Sequence, residues 1–528
     1  MRNTSRRAAL VLLGGAAITL MLTSLPRPSG SLHEPGQPPK PSFRERALQN
    51  VHFNLPKQRP PADLDEGKHW WPQVQVNEAP RHKFSAIPAP LPAEKQDGRI
   101  LGLAAYLKAW DGRDSEACAL NDTFAASYKR KYGRKFGVSD SWERFYAGIG
   151  SCDMYRESQY DTVIGNLVKD LRTLPVTNVD ILGGGTQVKL MLEFQGGKHA
   201  VFKPMRFSRQ YETDPNHFYF SDFERHNAEI AAFHLDRVLG LRHAIPTTGR
   251  VFNLSSEIQA HAEHALNKTF FTSPFKNLCF VSKCDYYCDT THAICGRPHM
   301  KEASVQVFLP DEEDAPREHN RSPYRRTYSK RRQIAEWQAD AGYCDSQVKS
   351  KKSFAHGTKL LDLVEMSIFD FLTGNQDRHH FEGFSFFDKS PYPIFFDNGR
   401  AFGRPHWDDA DILAPLSQCC LIRPSFLRRL LSFYTGPASL SQTLWRSMSD
   451  EPVAPILALK HYPALERRLR FILTTVADCI ERKGAEEVLA YEYHNPDVDP
   501  NAPSEEEAEE EERKRSEAKA HQRKRRRR

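Results

Sequence analysis

The chain has 528 residues, and its 74 basic and 67 acidic side chains give a formal net charge of +7. A mean hydropathy of −0.61 excludes a polytopic membrane protein, and so modest a charge for this length does not indicate nucleic-acid binding. Hydrophobic residues make up 39% of the chain, which is enough for a globular core in part of it. The length predicts two or three domains, or one large domain with appendages.

The first 25 residues are typical of a secretory targeting segment. Arg2, Arg6 and Arg7 precede an uncharged apolar run over residues 8–25. Basic residues before such a run keep the N-terminus in the cytoplasm and place the following chain in the lumen. We predict a signal anchor, because the run is longer than the apolar core of a typical signal peptide; a cleaved signal peptide is the alternative. Membrane contact is expected through this segment alone.

Two further segments have compositions typical of chains without a packed core. Residues 26–98 hold 14 of the 35 prolines and show little hydrophobic periodicity, which predicts an extended stem. Residues 498–528 carry a block of glutamates and then blocks of lysine and arginine, and such blocks of like charge are disordered by default. We therefore expect the folded body between residues 99 and 497.

Sequons for N-glycosylation agree with a lumenal location. Asn121, Asn253 and Asn267 each begin an Asn-x-Ser/Thr triplet, and we predict that all three carry glycans. A fourth triplet begins at Asn320 but is weakened by the Pro323 that follows it. Each triplet is a weak signal alone, and together with the N-terminal segment they indicate a glycosylated secretory protein.

Four of the ten cysteines lie close together with a histidine between them, at Cys279, Cys284, Cys288, His292 and Cys295. Cysteine and histidine at short spacing can bind zinc. Disulfides are favoured here, because a lumenal chain is in an oxidising compartment and ten is an even number. The spacing alone leaves the connectivity open.

Hydrophobic periodicity predicts five elements in the body. Strands follow from apolar residues at every second position, and helices follow from an apolar face that ends at a glycine. The elements are, in chain order, a strand over 186–194, a strand over 199–203, a helix over 223–239, a helix over 359–373 and a short buried strand over 394–396.

Side chains suited to phosphoryl transfer occur along these elements in a suggestive order. A glycine-rich turn at 183–185 is followed by Lys203 on a strand, Glu224 early in a helix, Asp377 in a loop and Asp397 after a strand. Glycines let the backbone approach phosphates, lysine neutralises their charge, carboxylates bind a divalent metal, and a loop aspartate takes the proton of the acceptor hydroxyl. The order is that of a protein kinase, although the usual kinase motifs are missing.

Taken singly, each of these residues has an ordinary structural explanation. The glycines can form a plain turn, Lys203 can sit on an edge strand, and Glu224 can face a helix dipole. His379 and His380, next to Asp377, can be core residues, surface residues or metal ligands. Only the joint order and spacing favour phosphoryl transfer.

Longer motifs allow a resemblance to be stated. They lie at 202–205, 218–237, 368–372, 374–380, 397–400, 402–403, 412–416 and 418–420. Over residues 175–485 the chain closely resembles the secretory-pathway kinases known as family with sequence similarity 20, and most of all their Golgi casein kinase branch. The stem, the tail and residues 100–170 are hardly covered by it.

The resemblance implies the fold and the location. The fold is an α+β, atypical protein-kinase-like fold of two lobes that is stapled by disulfides and flanked by a disordered N-terminal stem and C-terminal tail. The N lobe is expected over 175–310 and the C lobe over 311–497, with 99–174 as an N-terminal segment of the body. The protein is expected in the Golgi lumen as a type II membrane protein, or secreted.

The resemblance also implies an active site that uses ATP and Mn²⁺, with Mg²⁺ as the other ion that oxygen ligands suit. Asp377 would be the catalytic residue, and Glu224 and Asp397 would bind the metal. Glu224 would stand in the place of the helix glutamate of ordinary kinases. The nucleotide would be contacted by Gln187, Lys203, Val307, Phe308, Leu309, Pro310, Glu382 and Asp397.

Four disulfides are implied by the same resemblance. They are Cys279–Cys295, Cys284–Cys288, Cys344–Cys419 and Cys420–Cys479. Cys118 and Cys152 are left, and we expect them to pair with each other, although no family motif supports this pair. If either were unpaired, it could link two chains.

Three functions are consistent with the resemblance. The first is a protein kinase that phosphorylates Ser in Ser-x-Glu segments of secreted proteins, the second is a xylose kinase of the proteoglycan linker, and the third is an inactive pseudokinase that activates a relative. The inactive branch carries Gln in place of Glu224; the glycan branch carries Asp there and lacks the lead-in at 218–222. We therefore predict the protein kinase.

The predicted partners are secreted acidic proteins, a family pseudokinase or a second copy of the chain, and no nucleic acid. Arg206, Arg209 and the basic run over 325–332 are candidates for contacting an acidic acceptor. A solvated basic loop is the alternative for that run. Ser504 begins a Ser-x-Glu triplet in the tail and is a candidate for self-phosphorylation.

Overall fold

The computed structural model describes residues 84–500, apart from short gaps at 113–117, 138–139, 157–161, 215–218, 328–333 and 388–390. The predicted signal segment, the stem up to residue 83, the tail from residue 501 and Lys330–Arg332 of the basic run lie outside the described residues. Within the described part of the chain, no helix is both long enough and apolar enough to cross a bilayer.

The strands in the described residues are β1 (Val176–Ile181), β2 (Leu190–Phe194), β3 (Lys198–Pro204), β4 (Thr247–Asn253), β5 (Phe271–Thr272), β6 (Leu278–Phe280), β7 (Ile294–Cys295), β8 (Met300–Val307), β9 (Arg317–Arg321), β10 (His356–Gly357), β11 (His380–Phe384) and β12 (Tyr493–His494).

The α-helices in the same residues are α1 (Gly98–Leu107), α2 (Asp122–Phe136), α3 (Ser141–Ala147), α4 (Val163–Thr173), α5 (His226–Leu239), α6 (His264–Asn267), α7 (Glu336–Ala339), α8 (Lys352–Ala355), α9 (Lys359–Thr373), α10 (Ala414–Cys419), α11 (Pro424–Thr435), α12 (Leu440–Ser447), α13 (His461–Lys483) and α14 (Ala485–Val488). Short 3-10 turns lie at Ala93–Lys95, Lys108–Trp110, Tyr219–Ser221, Gln259–His261, Thr290–His292 and Ala410–Leu413, and π turns lie at Leu254–Ile258 and Cys344–Val348.

A five-stranded antiparallel sheet forms the upper lobe, in the order β1-β2-β3-β8-β4. In β2 the buried residues alternate with half-buried ones, as the period-two pattern predicts. The buried residues are Leu190, Leu192 and Phe194. Helix α5 packs on β4 and β8. Gly249 of β4 makes that packing close, because an added Cβ would lie 3.2 Å from Cδ1 of Ile230 on α5 and would clash with Val453. The sheet therefore holds Lys203 on β3 opposite α5.

The lower lobe is built around α9, all fifteen residues of which are buried. Helices α10 and α13 pack on it. The helix ends where Gly374 adopts a left-handed backbone with φ of 70°, a conformation that favours glycine. The predicted bounds of this helix are confirmed, and its end sets the start of the loop that carries Asp377.

Other predicted bounds need correction. Helix α5 begins at His226 rather than at 223, because residues 219–221 form a separate 3-10 turn. Strand β2 begins at Leu190 rather than at 186. Residues 394–396 are not a strand, because only Phe395 bridges a neighbour, Ala244. Their apolar side chains are buried between elements instead of being paired along an edge.

Residues 84–98, which composition assigned to the stem, belong to the folded body. Ile87 is buried, and the ring of Phe84 lies 5.1 Å from that of Trp445. The Ser439 hydroxyl donates to the carbonyl of Pro88 at 2.6 Å. The N-terminal segment continues through α1, which packs on α11 and α13, and α4, which packs on β4 and β8.

All ten cysteines are paired, and each predicted pair is confirmed. The pairs are Cys118–Cys152, Cys279–Cys295, Cys284–Cys288, Cys344–Cys419 and Cys420–Cys479. The zinc alternative is therefore wrong, because its four cysteines are consumed by two disulfides. The last two pairs close the longest loops, with sequence separations of 75 and 59. In the chain-entropy account each of these stabilises the fold by roughly 4 kcal/mol.

Candidate active site

Three carboxylates surround the ammonium of Lys203 at the back of the cleft between the lobes. Lys203 Nζ lies 2.5 Å from Glu229 Oε1, 2.9 Å from Asp397 Oδ1 and 3.3 Å from Glu224 Oε2. One oxygen from each carboxylate lies within 4.8 Å of the others. Among the described residues this is the cluster with the geometry of a metal site, and it leaves two net negative charges around one cation.

Glu229 was not predicted and takes the place that was assigned to Glu224. It lies on α5, its side chain is 1% exposed, and its other oxygen accepts from the backbone N–H of Asn398 at 3.1 Å. A strand lysine paired with a helix glutamate is the arrangement of ordinary kinases. The prediction that Glu224 fills this place is wrong, because Glu224 precedes the helix. The missed signal is a glutamate in the first turn of a helix that faces a strand lysine.

Glu224 is held in the cluster by the segment between the glycine-rich turn and β2. Gln187 donates from Nε2 to the carbonyl of Asp222 at 2.8 Å, and its Oε1 accepts from the N–H of Glu224 at 3.1 Å. Thr186 donates from its hydroxyl to Glu224 Oε1 at 3.3 Å. Gln187 is buried, so its amide positions a metal-cluster carboxylate. Its nucleotide contact stays a prediction.

The loop that carries Asp397 is pressed against Glu224. Asp397 has a left-handed backbone with φ of 57°, which is uncommon for a residue other than glycine. At Gly399 an added Cβ would lie 2.8 Å from both Cβ and Cγ of Glu224, so only glycine fits. The N–H of Arg225 donates to the Gly399 carbonyl at 2.6 Å. These contacts bring Asp397 and Glu224 together from positions far apart in sequence.

Burial and mutual repulsion shape the ionisation of the cluster. Burial raises the pKa of Glu224, and neighbouring Asp397 and Glu229 raise it further against the opposing effect of Lys203. The Lys203 ammonium holds the pKa of Asp397 well below its usual range. Burial would lower the pKa of Lys203, but the three carboxylates outweigh it and raise that pKa. Hard oxygen donors with excess negative charge fit Mn²⁺ or Mg²⁺.

Asp377 lies in the loop after α9, and a buried ion network fixes that loop. Arg378 donates to both oxygens of Asp370, at 2.9 and 3.0 Å, and to the Phe396 carbonyl at 2.6 Å. It also donates to Asn398 Oδ1 at 2.7 Å. The side chains of Arg378 and Asp370 are 10% and 3% exposed. The loop with Asp377 and the loop with Asp397 are thus held to each other.

Asp377 itself has polar partners on two sides. Its backbone N–H donates to Asn375 Oδ1 at 3.1 Å. Arg400 donates from Nη1 to Asp377 Oδ2, and the His379 ring lies 3.6 Å from Oδ1. His379 is therefore a neighbour of the Asp377 carboxylate rather than part of the carboxylate cluster around Lys203. His380 begins β11.

Glu382 and the 307–310 segment do not belong to the carboxylate cluster around Lys203. Glu382 lies on β11 and contacts Arg317 at 3.4 Å and His319 at 3.2 Å. Phe308, between Val307 and the buried pair Leu309 and Pro310, has both backbone groups engaged, its N–H by the His199 carbonyl and its C=O by the Tyr146 hydroxyl. Their nucleotide contacts stay predictions.

Two basic candidates for acceptor binding are used elsewhere. Arg206 donates to the carbonyls of Tyr287 and His292, at 3.0 and 3.2 Å. Arg209 contacts Glu302 and the carbonyls of Val453 and Pro455. Both hold loops in place. Arg326 pairs with Asp411 at 2.6 Å.

The sequons differ in how their amides are placed. Asn267 is exposed at the end of α6. The side-chain oxygen of Asn253 accepts from the N–H groups of Ser255 and Ser256. The side-chain amide of Asn121 donates to the Phe386 carbonyl at 2.5 Å, and its Oδ1 caps α2. The amide nitrogen of Asn320 is buried without a partner, in agreement with the weaker expectation there.

A family model described as "Golgi casein kinase, C-terminal, Fam20" matches residues 140–488. The chain belongs to the Fam20 family. The extracellular serine/threonine protein kinase CeFam20 of Caenorhabditis elegans is 59% identical over 382 residues, which cover 72% of this chain and 74% of that protein.

Solved structures in the family share the fold. A crystal structure of the Golgi casein kinase matches with a TM-score of 0.71 and 52% identity, covering 78% of this chain and all of the other. A crystal structure of the Golgi casein kinase with Mn/ADP bound matches with a TM-score of 0.70 over the same shares. The predictions of an α+β two-lobe kinase-like fold, of a kinase, and of ATP and Mn²⁺ as cofactors are confirmed.

The Fam20 relatives differ in activity. A mouse protein named pseudokinase FAM20A is 41% identical over 374 residues, covering 67% of this chain and 68% of that protein. A zebrafish glycosaminoglycan xylosylkinase is 37% identical over 399 residues, covering 74% of this chain and 94% of that protein. Family membership therefore leaves the acceptor open.

Proposed function

We propose that this kinase transfers the γ-phosphate of ATP to Ser in Ser-x-Glu segments of secreted proteins. Glu224 and Asp397 would hold the metal ion, and Lys203 would contact the nucleotide phosphates. When bound, Mn²⁺ neutralises phosphate charge that would repel the attacking oxygen. Asp377 would accept the serine proton as the oxygen bonds to the γ-phosphorus, while the bond to the β,γ-bridging oxygen breaks and ADP leaves with the electron pair.

The observation that carries the proposal is the carboxylate cluster around Lys203. The resemblance gives the inactive branch Gln in place of Glu224 and the glycan branch Asp. Here Glu224 is present, its Oε1 accepts a hydrogen bond from the Thr186 hydroxyl, and its backbone N–H donates to Gln187 Oε1. An active protein kinase is the member of the family that this arrangement supports best.

Two observations support a protein acceptor with acidic residues. A relative that is 59% identical over 382 residues is named an extracellular serine/threonine protein kinase. Arg404 lies close to Asp377, since both line one small pocket, and its guanidinium donates to the carbonyl of Asp214 at 3.1 Å. A guanidinium near the phosphorylated hydroxyl fits a carboxylate two residues further along the acceptor.

The xylose kinase is the second candidate, because relatives with that name match most of their own length. The deciding assay uses the full secreted chain, labelled ATP and Mn²⁺, with a Ser-x-Glu peptide and a xylose-containing linker oligosaccharide in parallel. We expect label in the peptide alone, and none when Glu in the peptide is replaced by Gln. Label in the sugar alone would move the chain to the glycan branch.

An Asp397→Ala variant is the control for that assay. It should secrete normally with its disulfides intact and transfer no label, because a metal ligand is lost. Label in neither acceptor from the native chain would favour the pseudokinase role. Retained transfer by the variant would contradict the metal assignment.

We further infer that the chain works in the Golgi lumen or after secretion. Five disulfides and relatives named as extracellular kinases support this location. A pseudokinase relative or a second copy is the proposed protein partner. Cell fractionation combined with size-exclusion chromatography of the secreted form tests both, and a cytosolic, reduced chain would contradict the location.

A further inference from the structure

Arg400 crosses the cleft from the Asp397 loop and joins two parts of the site. Its Nη1 donates to Asp377 Oδ2, and its Nη2 donates to the Thr186 hydroxyl at 3.1 Å. Thr186 in turn donates to Glu224 Oε1 at 3.3 Å. A continuous path of polar contacts therefore runs from the catalytic carboxylate to the metal cluster, and Arg400 is its central member.

The surroundings of Arg400 show that this placement is built into the fold. Its side chain is 8% exposed, and its Nε is buried without a hydrogen-bond partner. Gly399, immediately before it, is fixed by close contact with Glu224. A buried guanidinium needs its charge balanced, and Asp377 is the carboxylate that it contacts.

Two other basic side chains close to the site, Arg378 and Lys203, contact carboxylates other than Asp377. Arg378 follows Asp377 in sequence, but its guanidinium is used by Asp370, Phe396 and Asn398. Lys203 is used by the metal cluster. The loop aspartate of this kinase thus takes its arginine partner from a segment 23 residues further along the chain.

We propose that Arg400 is the positioning residue for Asp377, an inference that rests on the proposed function. By holding Oδ2 it fixes the orientation of the carboxylate toward the acceptor hydroxyl. By holding Thr186 as well, it fixes the distance between Asp377 and the Glu224 side of the metal cluster. A misplaced catalytic group slows the chemical step far more than it weakens nucleotide binding.

The test compares Arg400→Ala and Arg400→Lys with the native full chain. We expect Arg400→Ala to lower kcat by about 100-fold, within the range that a positioned general base contributes. The KM for ATP and the Mn-ADP affinity should stay within about threefold of native, because Lys203, Glu224 and Asp397 are unchanged. Arg400→Lys should recover part of the rate, since one ammonium can replace the contact with Asp377 but not both contacts.

Chemical rescue separates positioning from a merely structural role. Millimolar guanidinium should raise kcat of Arg400→Ala by about tenfold, because a free cation can occupy the vacated place beside Asp377. It should not rescue Asp377→Asn. Arg172→Ala, which removes a remote arginine paired with Glu451 at 2.8 Å, controls for the loss of an ion pair and should leave kcat unchanged.

Two results would overturn the inference. One is a kcat for Arg400→Ala within about threefold of native. The other is a loss of rate that neither guanidinium nor lysine restores, which would assign Arg400 to folding alone. If the native chain itself labels neither peptide nor sugar, the proposed function fails instead, so the two failures are distinct.

Discussion

Two ion networks meet at the cleft, and they differ in charge balance. Arg378 faces a single carboxylate, Asp370, and its remaining donors are used by neutral oxygens. Lys203 faces three carboxylates. The balanced network around Arg378 stabilises the scaffold. In the network around Lys203 the carboxylates repel one another, and a bound divalent cation would reduce that repulsion. An excess of negative charge, rather than the number of ion pairs, therefore distinguishes the candidate active site from the scaffold around it.

The largest effect is expected from breaking the balanced network. Arg378→Ala leaves the carboxylate of Asp370 buried without its partner, and the free energy of unfolding should fall by about 3–5 kcal/mol. Urea unfolding followed by far-UV circular dichroism measures this. Arg467→Ala, which breaks a 39% exposed contact with Asp408, should cost less than about 1 kcal/mol. Equal losses in the two variants would contradict the comparison.

The contacts of Glu302 with His226 and Arg209 predict how the stability of the fold changes in acid. Burial raises the pKa of Glu302, but His226 and Arg209 outweigh it and lower that pKa to about 2. A lowered pKa adds stability above the unfolded value near 4.5, and this stability is lost as the pH falls toward 2. The loss should amount to roughly 3 kcal/mol.

Thermal unfolding between pH 5 and pH 2.5 tests this expectation. Glu302→Gln should be less stable than native at pH 5 and should show a flatter decline in acid. A decline as steep as that of the native chain would mean that Glu302 is not the group responsible.

The unbalanced cluster should respond to metal instead. Mn²⁺ at 100 times its dissociation constant should raise the free energy of unfolding by about 2.7 kcal/mol, by mass action. Differential scanning fluorimetry with and without Mn²⁺ measures the shift. Glu224→Gln should lose most of it, whereas Arg467→Ala should keep it. An undiminished shift in Glu224→Gln would place the ion elsewhere.

The smallest expected change is the effect of Glu224→Gln on stability, and its sign should depend on whether Mn²⁺ is present. In a chelator Glu224→Gln should be more stable than native, because burial and two like charges raise the pKa of Glu224. With saturating Mn²⁺ the order should reverse. Glu302→Gln, which removes a carboxylate whose pKa is lowered by His226 and Arg209, should be less stable than native under both conditions. A variant order that ignores metal would remove the distinction between the two networks.

The sequence predicted the parts of the fold that local pattern controls. Helix α9 follows from its apolar residues and from Gly374, which ends it with a left-handed backbone. Lys203 follows from a period-two strand. Strands β4 and β8 were missed, because β8 buries Glu302 and Ser304 beside its apolar residues and so lacks alternation. Their pairing depends on partners distant in sequence.

The sequence predicted most residues of the site but not the contacts between them. Glu224, Asp377 and Asp397 came from motifs, and the structure brings Glu224 and Asp397 together with Lys203. Glu229 was missed because its role depends on how closely α5 approaches β3, which no local pattern reports. The same holds for Arg400, whose motif was visible but whose partner lies across the cleft.

The packing of residues 84–98 on the lower lobe bears on where the enzyme can be cut free. A protease needs a segment of extended, unpacked backbone. Phe84, Ile87 and Pro88 are instead engaged with Trp445 and Ser439. Cleavage within this segment would remove the residues that pack on Trp445 of α12. A shed form that keeps its full stability should therefore retain Phe84 and begin at or before it.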